Sequence, residues 1–365
     1  MLENFHLPEG MTAIDGHIHI EHWADGREGG HDNFMGPLED YRRECGLTWG
    51  NVACIPVLRG RDASQNIMGG LLKLENPRYF AHGGLVYPQL PVQLPVPKDF
   101  AFVRQVEELM EIGFDGIKML EGKPNVRRLL GVSLADPAYD EYFSLLEEGQ
   151  IHLLWHVNDP ANFWDRSTLS QYALDRGWCY EGEGFLSYEE GYEEIYTILQ
   201  RHPLLKVTFA HLFFLSEQPD RLVQLFETYP NVCVDITPGS EMYRNMSIDR
   251  KLWRHIFTRY ADRFLLGTDT YSLTPLEMAK DRLENIFQFL LTEKENLSLY
   301  SFPIKGLGLD RKTVSQILSG NFRRRVGEKP RKIDQEKLRA YIQKYLPLVG
   351  AENKEELLAY CGQRL

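Results

Sequence analysis

The stretch TAIDGHIHI, residues 12–20, is the first predicted strand, and it combines an apolar run with a polar end. Asp15, His17 and His19 lie two residues apart, so an extended chain places their side chains on one face. Two imidazoles on one face of a strand can bind one divalent cation from the same side. A single His-x-His pair occurs by chance in many chains, so its weight depends on what the other strands carry.

Seven further apolar runs follow this stretch along the chain. Most are rich in Val, Ile, Leu and Phe and are bounded by Gly, Pro, Asn or Asp, which is typical of strands buried on both faces. The predicted strands cover residues 12–20, 51–58, 79–86, 114–120, 151–157, 205–213, 232–237 and 263–270.

Amphipathic segments separate the predicted strands. Apolar side chains recur every three or four residues in these segments, which predicts helices with one apolar face. The clearest examples cover residues 102–112, 188–200, 221–228 and 249–260. Alternating strands and helices favour parallel pairing with right-handed crossovers. Eight such units predict an α/β fold of the closed (β/α)8 TIM-barrel type.

Two regions lie outside this alternation. We expect residues 1–330 to form the barrel and residues 331–365 to form a helical extension of the same domain. Charged segments at 334–345 and 353–363 predict helices packed on the outside of the barrel. Residues 159–183 are polar and aromatic, and a loop of this length is typical of a lid or a substrate loop.

Charge and cysteine content narrow the function classes. The formal net charge of -11 at pH 7 predicts a surface that repels nucleic acid and anionic lipid, so we expect a small-molecule substrate. The five cysteines show no paired spacing, which is typical of buried free thiols in a reducing compartment. The N-terminus has no signal-peptide pattern. These features predict a cytoplasmic protein without nucleic-acid or membrane partners, and they leave a homodimer open.

Polar side chains also mark the ends of later strands, where barrels of this type form their active sites. These residues are Lys118, His156, His211 and Asp269. Neutral imidazole and carboxylate suit zinc, iron or manganese. Each residue also has a structural interpretation: a core histidine for His211, a helix cap for Asp269, a lysine paired with an acid for Lys118. Separate structural needs would not place all of them at strand ends.

The ordered set His17-x-His19, Lys118, His156, His211 and Asp269 resembles the amidohydrolase superfamily. Its local strings resemble the amidohydrolase-2 branch of metal-dependent hydrolases, which includes enzymes like aminocarboxymuconate semialdehyde decarboxylase. The matching strings are GFDGIKML at 113–120, RHPLLKVTFAHLF at 201–213, RFLLGTDTY at 263–271 and ILSGNFRRRVG at 317–327. The resemblance extends from residue 12 to about residue 327.

The resemblance implies a divalent metal, with zinc preferred. The implied ligands are His17, His19, His156, His211, Asp269 and, if it is carbamylated, Lys118. The implied catalytic residues are Asp269, His211 and Lys118. In binuclear members of the superfamily a carbamylated lysine at this position bridges two ions. We expect one ion here, and two ions stay open.

These ligands predict a reaction type. A bound cation lowers the pKa of water and polarises a carbonyl, and we expect Asp269 to move the proton from the attacking water to the leaving group. His156 or His211 would bind metal or stabilise an oxyanion. This chemistry predicts a hydrolase for a C–N or C–O bond of a small molecule such as an amide or lactone. The alternatives are a non-oxidative decarboxylase of an unsaturated or aromatic acid, and an inert barrel used for binding.

Further side chains are candidates for substrate contact or for support of the site. The substrate contacts that we predict are Arg59, Glu241, Arg244 and Tyr271. Arg59 follows the second strand, where a guanidinium can bind a carboxylate through two hydrogen bonds. Asn158 and Asp159 come directly after His156, and we expect them to orient its ring.

Overall fold

A computed structural model describes residues 7–21, 35–58, 63–87, 89–96, 101–239, 241–299, 302–349 and 351–365. The strands are β1 Ile14–His19, β2 Trp49–Ala53, β3 Tyr79–Gly84, β4 Gly116–Gly122, β5 His152–Val157, β6 Val207–Phe209, β7 Val232–Asp235, β8 Phe264–Leu265, β9 Thr270–Tyr271, β10 Leu297–Leu299 and β11 Phe302–Ile304.

The helices lie mainly between the strands. They are α1 Met35–Glu44, α2 Ser64–Glu75, α3 Phe102–Ile112, α4 Pro124–Leu130, α5 Asp140–Glu148, α6 Gln171–Asp175, α7 Tyr188–Arg201, α8 Pro219–Thr228, α9 Met242–Ile248, α10 Arg250–Arg259, α11 Leu276–Leu291, α12 Arg311–Ser315, α13 Asn321–Arg325, α14 Gln335–Tyr345 and α15 Ala351–Gly362. A π-helical segment, Gln316–Gly320, joins α12 to α13.

The main sheet is parallel and its two ends meet. Strands β1 to β8 pair in chain order, and β9 pairs with β1. The chain between β8 and β9 completes the seam: Gly16 N donates to Leu266 O and Asp269 N donates to His17 O, both at 2.9 Å. The structure therefore confirms the predicted TIM barrel, with the eighth strand divided into two short pieces.

An apolar floor fills the N-terminal end of the barrel. Five buried side chains form a cluster separate from the main core: Ile14, Phe80, Cys233, Leu265 and Phe322. The first four come from β1, β3, β7 and β8, so side chains from opposite walls meet inside the barrel. Phe322 of α13 joins them, and a side chain at Gly16 would lie only 3.1 Å from its ring.

A chain of hydrogen bonds crosses the middle of the barrel. Asn51 Nδ2 donates to Gly16 O at 2.8 Å, and Asn51 Oδ1 lies 2.7 Å from His82 Nδ1. His82 Nε2 lies 2.7 Å from His152 Nδ1, and His152 Nε2 lies 2.8 Å from Thr208 Oγ1. Burial lowers the pKa of His82 to about 3, so its ring is neutral at neutral pH. The chain satisfies four buried polar side chains that would otherwise destabilise the core.

The C-terminal helices pack on the outside, as predicted. Asn66 of α2 donates to the Tyr341 hydroxyl of α14 at 2.8 Å. Gly70 of α2 leaves room for Leu338, whose Cδ1 would lie 2.7 Å from a Cβ at that position. Lys344 pairs with Glu108 of α3 at 2.9 Å. The contacts of α14 therefore lie on the outer faces of α2 and α3.

Some local predictions were wrong. The predicted strand 205–213 ends at Phe209, because the backbone turns into the left-handed region from His211 onward. The hairpin of β10 and β11 was not predicted, since each strand has only three residues. Residues 159–183 contain α6 and two 3₁₀ turns, Ala161–Trp164 and Arg166–Thr168.

Two further expectations concern thiols and membranes. All five cysteines are free; three are buried, and Cys45 and Cys179 are partly exposed. None of the helices among the described residues is both long and apolar enough to cross a bilayer.

Glu121, at the end of β4, is a buried acid whose protonation should affect the stability of the barrel. It is buried and accepts hydrogen bonds from Tyr87 Oη at 2.8 Å and from Leu120 N at 2.6 Å. Burial raises the pKa of Glu121 from 4.5 to about 7, although these hydrogen bonds oppose the shift. Between these values the folded chain holds a proton that the unfolded chain has lost, so the free energy of unfolding decreases as pH rises.

We predict that Glu121→Gln removes this loss, which is roughly 3 kcal/mol at 1.4 kcal/mol per pKa unit. Urea unfolding at pH 5 and pH 8 should show the variant gaining stability relative to the wild type at the higher pH. The exposed Glu141→Gln is the matched control. Equal pH dependence in Glu121→Gln and the wild type would contradict the prediction.

Candidate metal centre

The C-terminal end of the barrel brings the six predicted ligand side chains together. His17 and His19 project from β1, Lys118 from β4 and His156 from β5, while His211 follows β6 and Asp269 precedes β9. The rings of His17 and His19 lie 4.9 Å apart between centroids, those of His17 and His211 5.8 Å, and those of His156 and His211 4.9 Å.

In both histidines of β1, the Nδ1 nitrogen has a hydrogen-bond partner within the protein. Nδ1 of His17 lies 2.8 Å from Oδ2 of Asp235, and Nδ1 of His19 lies 2.7 Å from the Ala53 carbonyl oxygen. These partners only accept hydrogen bonds, so each neutral ring carries its proton on Nδ1. Burial lowers the pKa of His17 to about 3, with Lys118 adding to the shift. The two Nε2 lone pairs face each other at 3.1 Å.

Asp269 completes a three-atom donor set. Its Oδ1 lies 3.2 Å from His19 Nε2, and ligand atoms of His17, His19 and Asp269 all lie within 4.8 Å of one another. Zinc bonds of about 2.0–2.1 Å at tetrahedral angles separate neighbouring ligand atoms by about 3.3 Å. Two ring lone pairs and a carboxylate oxygen at such distances repel one another unless a proton or a cation lies among them. The donor set therefore fits a divalent cation.

The Gly267–Asp269 segment is shaped to present this carboxylate. A Cβ at Gly267 would lie 2.8 Å from Cβ of His17, so only glycine allows the close approach. Asp269 has a φ of 57°, and Arg282 Nη1 donates to its carbonyl oxygen at 3.1 Å. Burial opposes ionisation, but His19 and the other histidines hold the pKa of Asp269 well below its usual value. Its side chain is 32% exposed, so the carboxylate reaches the mouth of the barrel.

Lys118 lies against the same histidine pair. Its Nζ donates to Nε2 of His17 at 3.0 Å. Burial lowers the pKa of Lys118 to about 8, while Asp235 and Asp269 oppose the shift. The amine is therefore mainly protonated at neutral pH, and it uses the lone pair of His17 that a metal ion would need.

His211 begins a strained turn. Residues 211–214 all have positive φ, from 52° to 56°, although none is glycine. Each left-handed residue of this kind costs roughly 1–2 kcal/mol. Hydrogen bonds hold the turn: His211 N donates to Asp235 Oδ1 at 2.8 Å, and Tyr192 and Tyr188 donate to the carbonyls of residues 213 and 214 at 2.8 and 3.2 Å.

The other two histidines have defined ring orientations as well. His211 Nδ1 lies 3.2 Å from the Thr237 carbonyl oxygen, and burial lowers the pKa of His211. His156 Nε2 lies 3.0 Å from the Asn158 carbonyl oxygen and 3.3 Å from Oδ1 of Asp159. Burial also lowers the pKa of His156, to about 3. Asn158 and Asp159 therefore contact His156 at the positions where the sequence predicted orienting partners.

Asp159 connects His156 to the segment that was predicted to be a lid. Its carboxylate pairs with Lys123 at 2.5 Å and accepts a hydrogen bond from the Tyr180 hydroxyl. Trp164 Nε1, in the same segment, donates to Leu186 O at 2.8 Å. This segment therefore packs beside His156, and its role as a lid stays a prediction.

Asp235 is a part of the site that sequence reasoning missed. Its carboxylate contacts the His17 ring and the His211 backbone, at 2.8 Å in each case. Burial opposes ionisation of Asp235, but His17 and His211 lower its pKa below the usual value. The available signal was the string VCVD, a strand that ends in an acid on the catalytic side.

The predicted substrate contacts have different surroundings. Tyr271 lies beside the site, with its ring centroid 4.8 Å from that of His19. Glu241 is partly buried and immediately precedes α9. Arg244 is exposed, with its guanidinium carbon 5.5 Å from the Phe302 ring centroid in β11, and no described contact joins it to the histidines. Arg59 lies outside the described residues.

Solved structures share the fold of this chain. A 2,6-dihydroxybenzoate decarboxylase from Rhizobium aligns with a TM-score of 0.55 and 14% sequence identity over 87% of this chain and 98% of that chain. An uncharacterized TIM-barrel protein from Bordetella bronchiseptica aligns with a TM-score of 0.51 and 14% identity over 86% and 98% of the two chains. At these identities the likeness concerns the fold alone. No curated protein sequence matches the chain.

A match to a protein-family model shows which family the chain belongs to. The model described as Amidohydrolase, for the amidohydrolase-2 family, matches residues 88–326, which is more than half of the chain. The matched region includes Lys118, His156, His211 and Asp269, and the His-x-His pair precedes it. The chain belongs to the amidohydrolase-2 family.

Proposed function

We propose that this protein is a metal-dependent hydrolase that cleaves a C–N or C–O bond of a small molecule, such as an amide or a lactone. The observation that carries the proposal is the convergence of His17 Nε2, His19 Nε2 and Asp269 Oδ1 at the mouth of the barrel. Membership of the amidohydrolase-2 family supports it. We expect this activity in the cytoplasm.

His17, His19 and Asp269 would hold one ion, with zinc preferred. Imidazole nitrogen and carboxylate oxygen are ordinary zinc ligands. When bound, the ion supplies Lewis acidity toward water and toward a substrate carbonyl. Among the described residues, these three form the one cluster of at least three histidine, cysteine or acid side chains whose ligand atoms converge, which supports one ion over two.

Asp269 is the proton carrier in this proposal. The histidines keep its carboxylate ionised, and its exposed edge faces the space where substrate and water would enter. An ionised carboxylate at this position accepts a proton from the attacking water and then donates it to the leaving nitrogen or oxygen.

Lys118 is the candidate donor for negative charge on the substrate. His211 has its Nδ1 proton directed at Thr237 O, and His156 has its Nε2 proton directed at Asn158 O. In their neutral forms these rings have no second N–H to offer a developing oxyanion. Lys118 has three N–H donors and is mainly protonated at neutral pH, so the oxyanion role suits it better.

Non-oxidative decarboxylation of an unsaturated or aromatic acid is the second candidate. It is favoured by the shared fold with the 2,6-dihydroxybenzoate decarboxylase. The test is one panel of amides, lactones, phenolic acids and muconate-type acids, assayed with zinc-loaded protein for hydrolysis products and for carbon dioxide. Hydrolysis without carbon dioxide release is the result we expect. Carbon dioxide release alone would favour decarboxylation, and no turnover with no bound metal would favour an inert binding barrel.

The histidine pair gives the first prediction on this site. We expect His17→Ala with His19→Ala to abolish zinc binding and activity, because two of the three ligand atoms are lost. The barrel should stay folded, because neither the main hydrophobic core nor the apolar cluster at the N-terminal end of the barrel includes these rings. Metal analysis, circular dichroism and turnover measure the three effects. Turnover by a metal-free double variant would refute the proposed role.

Asp269→Asn separates proton transfer from metal binding. The amide oxygen can still act as a ligand, but the amide cannot accept a proton. We expect kcat to fall by roughly 10²- to 10⁴-fold, while zinc affinity falls much less. Zinc titration and steady-state kinetics on the same preparation decide between the roles. Equal losses of affinity and rate would make Asp269 a ligand only.

Lys118→Met tests the number of ions. If Lys118 is a free amine, the variant should bind one zinc ion at least as tightly as the wild type, because a competing donor to His17 Nε2 is gone. We expect kcat to fall about 10²-fold or more through loss of the oxyanion donor. A wild type with two zinc ions, a variant with fewer and a requirement for bicarbonate would instead establish a carbamylated, binuclear site.

A further inference from the structure

Asp235 contacts two of the site histidines at once. It ends β7 and is only 2% exposed. Its Oδ2 lies 2.8 Å from Nδ1 of His17, while its Oδ1 accepts the backbone N–H of His211 at 2.8 Å and of Thr237 at 3.1 Å. Three N–H donors thus converge on one buried carboxylate.

The contact with His17 determines where that ring carries its proton. A carboxylate accepts hydrogen bonds and donates none, so the proton of the neutral ring lies on Nδ1. The Nε2 lone pair is then left facing His19 Nε2 at 3.1 Å. His19 obtains the same tautomer from a backbone carbonyl, that of Ala53. For His17 the nearest partner of Nδ1 is the Asp235 carboxylate, and the Thr237 hydroxyl, which can donate or accept, lies farther away at 3.3 Å.

The other oxygen acts on His211 through the backbone. His211 is the first residue of the left-handed turn 211–214, and its N–H is bound by Asp235 at the entrance to that turn. The Tyr192 and Tyr188 hydroxyls bind the turn at its far end. A strained backbone persists only where its surroundings hold it, so loss of the Asp235 contact would release the His211 ring from its place in the site.

We propose that Asp235 is a positioning residue that holds His17 in its metal-binding tautomer and fixes the turn that presents His211. This inference rests on the proposed metal site, but the tautomer of His17 can be measured without metal. The position requires a carboxylate because only that group can accept from all three donors.

Asparagine is the informative substitution, since it has the same shape with one acceptor oxygen. If that oxygen keeps the two backbone N–H groups, the NH₂ group faces Nδ1 of His17. Nδ1 must then accept, and the ring proton moves to Nε2, the atom that a metal needs. If the amide turns the other way, its NH₂ group faces two N–H donors.

The experiment compares wild type, Asp235→Asn and Asp115→Asn. Asp115 is the control, because it is also buried and accepts the Ala81 and Arg331 backbone N–H groups at 2.9 and 2.8 Å. It pairs with the buried Lys73 and has no described contact with a histidine. Long-range ¹H–¹⁵N spectra of the metal-free proteins, with the His17 signal assigned by His17→Gln, report the tautomer. Zinc affinity is measured by competition with a chelator.

We expect the wild type and Asp115→Asn to carry the His17 proton on Nδ1. In Asp235→Asn we expect it on Nε2, with zinc affinity weaker by roughly 10- to 100-fold. A wild-type His17 protonated on Nε2 overturns the inference even if the variant does not fold. An unchanged tautomer or an unchanged affinity in Asp235→Asn also overturns it and leaves the proposed function standing. A wild type that binds no zinc defeats the proposed function, and the tautomer comparison still decides the role of Asp235.

Discussion

Three electron-rich atoms meet at the mouth of this barrel, and their mutual repulsion is the constraint to which the surrounding structure responds. Nε2 of His17 lies 3.1 Å from Nε2 of His19, which lies 3.2 Å from Oδ1 of Asp269. Neither histidine can relieve the repulsion by moving its proton, because each Nδ1 faces a group that only accepts. The arrangement needs a positive charge, which Lys118 supplies in part at 3.0 Å from His17.

The barrel holds these atoms in place through layers of different polarity. The N-terminal floor around Phe80 and Phe322 is apolar. Above it, a chain of hydrogen bonds joins Asn51, His82, His152 and Thr208, so each of these buried polar side chains has a partner within the protein. The top layer carries the charged groups, where the strands end and solvent can enter. The charged groups therefore lie where a metal ion or a substrate can offset the free-energy cost of burying them.

Much of this was predictable from residues 12–20 and the runs that follow them. Buried strands have a composition that a single sequence displays, and polar residues at their ends were identified as ligand candidates: His17, His19, Lys118, His156, His211 and Asp269. The structure brings these six side chains together. Their roles remain predictions, because proximity alone does not distinguish a ligand from a proton carrier.

The features that escaped prediction depend on contacts between distant parts of the chain. Asp235 looks like an ordinary strand-end acid until His17, more than two hundred residues earlier, is placed beside it. The turn 211–214 contains no glycine that would have indicated a left-handed backbone. Hydrogen bonds from Tyr188 and Tyr192 of α7 hold it in place. The division of the eighth strand follows from Gly267 and Asp269, whose conformations depend on the neighbouring β1.

Anomalous diffraction at the zinc edge, from crystals of the full chain grown with zinc, shows directly which atoms bind the ion. We expect one zinc ion bonded to Nε2 of His17, Nε2 of His19 and a carboxylate oxygen of Asp269. A zinc peak only at other positions, or a site in which the Lys118 amine stays on His17 with no zinc beside it, would rule out this metal site.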